Sequence, residues 1–185
     1  MENYQALVQK QKTYFQSGAT KDLSYRLAAL QKLKNGVKEN EALILNALQA
    51  DLNKSEFEAY TTEIGVVLAE IRFAVKGLSK WVKPERVKTP MTHIGSAGYI
   101  YREPYGAALI IAPWNYPVQL ALAPLIGAIA AGNCAIIKPS ELTPKTAAVL
   151  KGLISELFPE EYIAVVTGGV ETSQALLAEK SDYIF

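Results

Sequence analysis

Ala107-Ala108-Leu109-Ile110-Ile111-Ala112, bounded by Gly106 and Pro113 and followed by Trp114-Asn115-Tyr116-Pro117, is the stretch on which the reading of this chain turns. An unbroken apolar run of this length, closed by a proline, reads as a strand buried on both faces. Pro117 suits the first turn of a helix, where its missing N–H costs nothing. After the Gly132-Asn133 turn comes a second buried strand, Cys134-Ala135-Ile136-Ile137-Lys138, and then a second polar motif, Pro139-Ser140-Glu141. Strand, crossover helix and strand within about 35 residues make a βαβ unit of a parallel sheet, and ligands of such sheets sit beyond the carboxyl ends of the strands. Both polar motifs lie at carboxyl ends, so they read as a site.

The pattern continues downstream. Thr143-Pro144 predicts a helix start, with Thr as cap and Pro at the first helical position. The helix carries Ala147, Val149, Leu150, Leu153, Ile154 and Leu157 inward and ends near Phe158-Pro159. Ile163-Ala164-Val165-Val166 is a third strand, and Gly168-Gly169 turns into a short helix from Glu171 to about Glu179. Tyr183-Ile184-Phe185 begins a fourth strand. A chain ending inside a core strand leaves a pairing edge and an apolar face uncovered, so the sequence reads as part of a longer one.

Upstream, Asn3 to about Lys80 reads as helical, with a break at Ser17-Gly18. Leu23, Leu27, Leu30, Leu33 and Val37 repeat at three and four residues; Leu43, Ile44, Ala47 and Leu48 form a second stripe. Tyr60, Ile64, Val67, Leu68, Ile71, Val75 and Leu78 form a third, within Glu56 to about Val82. Asp22 or Ser24, and then Asn40, are the capping candidates. Pro84 and Pro90 bound a linker, Lys83–Pro90. Tyr99-Ile100-Tyr101-Arg102-Glu103 alternates with the period of a strand, and the glycines before it predict a hairpin. The expected division is residues 1–82, a helical layer; 83–104, linker and hairpin; and 105–185, an incomplete dinucleotide-binding domain.

Half of the 185 residues are apolar and a fifth are charged, as in an ordinary globular protein. A net charge of +1 gives no electrostatic reason to bind nucleic acid or a membrane surface. No apolar run is long enough for a membrane helix, and Met1-Glu2-Asn3 does not open a signal peptide. One cysteine excludes an internal disulfide and suits the reducing cytoplasm. With one cysteine and one histidine, no metal site is expected.

Each candidate residue has an ordinary reading beside its functional one. Asn115 can donate a hydrogen bond to an oxyanion without titrating, or can serve as a turn asparagine that satisfies backbone groups. Trp114 is either core or a pocket wall. Lys138 and Glu141, flanking Pro139-Ser140, can both bond ribose hydroxyls, as an acidic residue does in dinucleotide sites, or can form an ion pair at the sheet edge. The Glu141 carboxylate would repel a 2′-phosphate. Cys134 lies inside an apolar strand, where a thiol is inert packing material. Gly168 permits positive φ or close approach to a ligand, and equally a plain turn.

Pro113-Trp114-Asn115-Tyr116-Pro117, Gly127-Ala128-Ile129-Ala130-Ala131-Gly132-Asn133 and Lys138-Pro139-Ser140-Glu141-Leu142-Thr143-Pro144 resemble the amino-terminal half of an NAD(P)-dependent aldehyde dehydrogenase. Glu103-Pro104-Tyr105-Gly106 and Val166-Thr167-Gly168-Gly169-Val170-Glu171-Thr172 fit the class-3-like branch, which oxidises fatty and aromatic aldehydes. The resemblance implies a truncated α/β fold: a helical amino-terminal layer, an antiparallel bridging hairpin that reaches across a subunit interface, and half of a doubly wound, Rossmann-like sheet. It implies that a cysteine thiolate adds to the aldehyde while Asn115 supports the oxyanion. Hydride then passes to the nicotinamide, and water activated by a glutamate releases the carboxylic acid. It implies that Ile111, Ala112, Pro113 and Trp114 line the nicotinamide-ribose side, and that Lys138, Ser140, Glu141 and Gly168 belong to the NAD or NADP site. A homodimer is the implied parent. Val170 stands where many members carry glycine, and the family's nucleophile, base and nicotinamide-side turn all fall beyond Phe185. The rival readings are a semialdehyde dehydrogenase acting through acyl phosphates, and a non-catalytic dinucleotide-binding or assembly fragment.

Overall fold

The structure, a computed structural model, describes residues 4–185. Asn3, where the helical reading begins, and the Met1-Glu2-Asn3 start lie outside them. The amino-terminal helices are α1 (Tyr4–Gln16), α2 (Leu23–Glu39), α3 (Glu41–Leu52) and α4 (Glu56–Ala59). From α4 the chain passes through a π-helical turn (Tyr60–Ile64) into α5 (Gly65–Trp81). A two-stranded ribbon follows, β1 (Glu85–Val87) with β2 (Gly98–Ile100). Then strands and helices alternate: β3 (Ala107–Ile111), α6 (Gln119–Ala131), β4 (Cys134–Lys138), α7 (Pro144–Leu157), β5 (Ile163–Val165), α8 (Val170–Ala178) and β6 (Tyr183–Ile184).

The four strands β3 to β6 form one parallel sheet in the order β5-β4-β3-β6. The chain steps outward from β3 to β5 and then crosses back to the other side of β3, so the order reverses beside β3. Alternation along the strands divides the core. Leu109, Ile136 and Val166 face Val8 of α1 and Leu176 of α8. Ile110, Ile137 and Val165 face the opposite side, in one cluster with residues of α2, α3, α5, α6 and α7. Helices cover both faces, which explains why these strands are continuous apolar runs.

Of the two capping candidates for α2, Asp22 is the cap: its carboxylate accepts the Tyr25 N–H at 3.1 Å, and the Ser24 hydroxyl bonds to Asp22 as well. Several other local expectations need correction. Asn40 does not cap α3 with its side chain; its Nδ2 donates back to the Gly36 carbonyl at 3.0 Å and closes α2. Leu43 points outward, at 56% exposure, while Ile44, Ala47 and Leu48 are buried. Pro117 lies in the turn that leads into α6, where the Leu120 N–H donates to the Tyr116 carbonyl at 2.9 Å. The linker Lys83–Pro90 holds a strand, β1, paired antiparallel with β2 in the register Glu85↔Ile100, Arg86↔Tyr99 and Val87↔Gly98, across a long connection. Strand β2 stops at Ile100, and Tyr101 to Glu103 lie beyond it.

The capping of α7 also differs from expectation. Thr143 makes no side-chain cap, although Pro144 does sit at the helix start. Asp51, near the end of α3, supplies the cap from outside: its carboxylate oxygens accept the Lys145 N–H at 3.2 Å and the Thr146 N–H at 2.7 Å. A carboxylate there satisfies two orphan donors and sits at the positive end of the helix dipole. Asp51 is distant in sequence, so no local pattern could announce it.

Candidate functional site

The carboxyl ends of β3, β4 and β5 lie side by side. Ile111 is in register with Lys138. The Ala112 N–H donates to the Lys138 carbonyl at 3.0 Å, and the Val166 N–H to the Ile137 carbonyl at 2.9 Å. The segments after these strands, starting at Ala112, Pro139 and Thr167, therefore leave the sheet along one edge, next to the order reversal at β3. Every residue singled out for cofactor or catalysis falls on that edge.

Pro113 and Pro117 cannot donate hydrogen bonds, so the loop between them must be held by other groups. Trp114 is 52% exposed in this chain. Asn115 is exposed, and its carbonyl accepts from Lys54 Nζ at 2.9 Å. Its side-chain amide has no hydrogen-bond partner among the described residues, so it does not satisfy the turn as a structural asparagine would. The Val118 and Gln119 N–H groups at the start of α6 both donate to one carboxylate oxygen of Glu63, at 2.8 and 3.1 Å. The other oxygen of Glu63 is 2.6 Å from Lys54 Nζ.

Lys54 and Glu63 are the residues that sequence reasoning missed. Glu63 carried a signal: it stands one helical turn before Val67, inside the apolar stripe, where a charge needs a partner. Lys54 carried none.

On the neighbouring strand, the Lys138 side chain is nearly buried and its Nζ lies 2.5 Å from Glu141, whose carboxylate is 42% exposed. The Lys138 ammonium, then the backbone N–H of Glu141 itself, hold this carboxyl below the usual range. The buried Ser140 hydroxyl accepts the Leu142 N–H at 3.2 Å. Gly168 has φ +154°, and a Cβ there would collide with the Thr172 hydroxyl, so contact within the chain already accounts for this glycine. A groove of about 560 Å³ runs along β5 between α1 and α7, includes Leu7, Lys10, Lys151 and Phe158, and reaches the carboxyl end of β5 at Thr167.

Cys134 is fully buried, and burial pushes its thiol up to about 12. The thiol is therefore neutral at physiological pH. Alkylation by iodoacetamide is expected to be negligible in the folded chain and complete in urea; rapid labelling of the native state would contradict the packing reading. A raised thiol pKa keeps its stability below the unfolded value, near 9, and loses it as pH rises towards 12. Over that window wild type should lose about 1.4 kcal/mol per pH unit more than Cys134→Ala does.

The family model described as "Aldehyde dehydrogenase family" matches residues 1–183. The 4,4'-diaponeurosporen-aldehyde dehydrogenase of Staphylococcus aureus is 52% identical over 174 residues, covering 94% of this chain and 38% of the relative. Aldehyde dehydrogenase family 3 member B1 of Mus musculus is 40% identical over 186 residues, covering all of this chain and 40% of the relative. A solved structure of Staphylococcus aureus AldH in its substrate-bound state superposes with a TM-score of 0.98 at 49% identity, over all of this chain and 40% of that one. The chain thus spans 38–40% of the length of these relatives.

Proposed function

The chain belongs to the aldehyde dehydrogenase family, with family 3 members among its relatives, and from that premise we propose that it supplies the oxyanion donor and the adenosine half of the NAD(P) site to an enzyme oxidising aldehydes to carboxylic acids. The observation that carries this reading is Asn115: an exposed amide, unpartnered among the described residues, on a loop whose main chain is gripped from behind.

The proposed roles follow from the chemistry of each group. Attack on an aldehyde carbonyl moves charge onto its oxygen. The Asn115 amide can donate to that oxygen at any working pH because its NH2 group does not titrate. Lys138 and Glu141 place a donor beside a solvent-facing acceptor, a set that fits the vicinal hydroxyls of a ribose. NAD or NADP, when bound, would supply the hydride acceptor. The carboxylate of Glu141 favours NAD over a 2′-phosphate, but only weakly, since it is half exposed and screened. Ile111, Ala112, Pro113 and Trp114 would flank the ring-side ribose.

The chain's one cysteine is buried inside β4 and is not proposed as the thiolate that attacks the aldehyde. Pairing of two copies through the ribbon belongs to the same proposal: Tyr99, Ile100 and Tyr101 are all exposed there. Among the described residues no helix is long and apolar enough to cross a membrane. A cytoplasmic site of action is proposed on the single unpaired cysteine.

The test is turnover of hexanal or benzaldehyde with NAD or NADP. A protein of the relatives' full length that carries these residues is expected to accumulate reduced nicotinamide, and the 185-residue chain none. Failure of the long protein with every aldehyde tried would overturn the reading. Sustained turnover by the short chain, abolished by Cys134→Ala, would overturn the packing role of that cysteine.

A further inference from the structure

We propose that Lys54, backed by Glu63, is a positioning residue for the aldehyde site: it fixes the main chain of Asn115 so that the side-chain amide is presented in one place. This rests on the reading of Asn115 as the oxyanion donor.

The geometry is specific. Lys54 lies just past α3, after Asn53, the one non-glycine residue with positive φ (54°) among those described. This left-handed residue ends α3 and redirects the chain. The Lys54 ammonium then meets three groups: Glu63 Oε1 at 2.6 Å, the Asn115 carbonyl at 2.9 Å, and the face of Tyr116, with the ring centroid at 4.2 Å. Lysine has three donors and no acceptor, and this arrangement occupies the ammonium fully. Glu63, fully buried, reaches its place from the π-helical turn (Tyr60–Ile64), and such turns often re-aim side chains at functional positions. Its second oxygen takes the Val118 and Gln119 N–H groups.

Two charged side chains thus hold the main chain at Asn115 and just after the loop, at Val118 and Gln119. The Trp114, Asn115 and Tyr116 N–H groups have no partner among the described residues, and the flanking residues are prolines. Lys54 is therefore the tie on Asn115 itself. The ammonium ends on the carbonyl of this residue and the ring of the next, which couples the ion pair to the loop that carries Asn115. Misplacing a reacting group by about 1 Å can cost about 10²-fold in rate.

The experiment uses the enzyme at the relatives' full length. Lys54→Met is expected to lower kcat about 10- to 100-fold, with aldehyde and cofactor KM changed less than about threefold. Because Lys54→Met leaves Glu63 buried without its partner, the pair Lys54→Met/Glu63→Gln is measured beside it. The glutamine oxygen can still accept the Val118 and Gln119 N–H groups, so this pair keeps the start of α6 and removes both charges. It should lose kcat to the same degree. In an Asn115→Ala background, Lys54→Met should cost less than about twofold more, since the group it positions is gone. Wild-type kcat in the folded pair overturns the proposal. An equal proportional loss in both backgrounds also overturns it, assigning Lys54 a structural role. Wild-type kcat in Asn115→Ala overturns the oxyanion reading and this proposal with it.

Discussion

Asn115→Ala, in an enzyme of the relatives' length, is expected to lower kcat by about 10²–10³ while moving aldehyde KM little. The ground-state aldehyde oxygen carries only a partial charge, so its hydrogen bond to the amide is weak. The bond strengthens as the carbonyl becomes tetrahedral, and only that difference accelerates the reaction. The loss corresponds to about 3–4 kcal/mol of transition-state stabilisation. Structural damage should be small, because the amide has no partner among the described residues and the loop is held through the Asn115 carbonyl, which alanine retains. An unchanged melting temperature with the full kinetic loss is the expected pair of results. Near-wild-type kcat would mean that the oxyanion is stabilised elsewhere. Asn115→Asp should be at least as damaging, since a carboxylate repels the developing charge.

Glu63→Ala should give the largest loss of stability, about 3–5 kcal/mol. Removing the carboxylate leaves the Lys54 ammonium buried with only a carbonyl and a ring, and strips both N–H groups at the start of α6 of their acceptor. With a urea m-value of about 2 kcal/mol/M, the unfolding midpoint should fall by roughly 1.5–2.5 M. Glu63→Gln should lose less, because its amide oxygen can still serve the helix. A Glu63→Ala midpoint within about 0.3 M of wild type would show that water replaces the carboxylate at little cost.

What was legible in the sequence follows from which forces act locally. The βαβα pattern was readable because burial on both faces leaves a continuous apolar run, as in Ala107–Ala112 and Cys134–Lys138. Helix stripes were readable because burial of one helix face spaces apolar residues by three and four, with Leu43 and Tyr60 the residues that periodicity placed on the wrong side. The polar loops were legible by position: a motif after a parallel strand falls at the edge where ligands bind. Strand β1 was not readable, since three exposed residues, Glu85, Arg86 and Val87, are a strand only because β2 pairs with them. The caps of α6 and α7 were equally hidden. Their acceptors, Glu63 and Asp51, are separated from the donors by 55 and 95 residues. A helix start with a suitable Thr-Pro therefore invited a local explanation when the actual cap came from another layer. The same separation hid Lys54, whose contact with Asn115 spans 61 residues.

Asp51 and Glu63 have a consequence for how this architecture can be recombined. Both helices whose amino ends bound the site take their caps from α3 and the π-helical turn, not from their own approaches. The layer before the ribbon is therefore not an interchangeable cassette. A chimera crossing over at the ribbon would join one parent's acceptors to another parent's donors. Such a hybrid would keep every apolar stripe yet misplace the loops after β3 and β4 wherever the parents differ at residue 51, 54 or 63. A crossover that respects the site has to inherit these three residues together with the segments they hold, 115–119 and 145–146, although the chain places the ribbon between them.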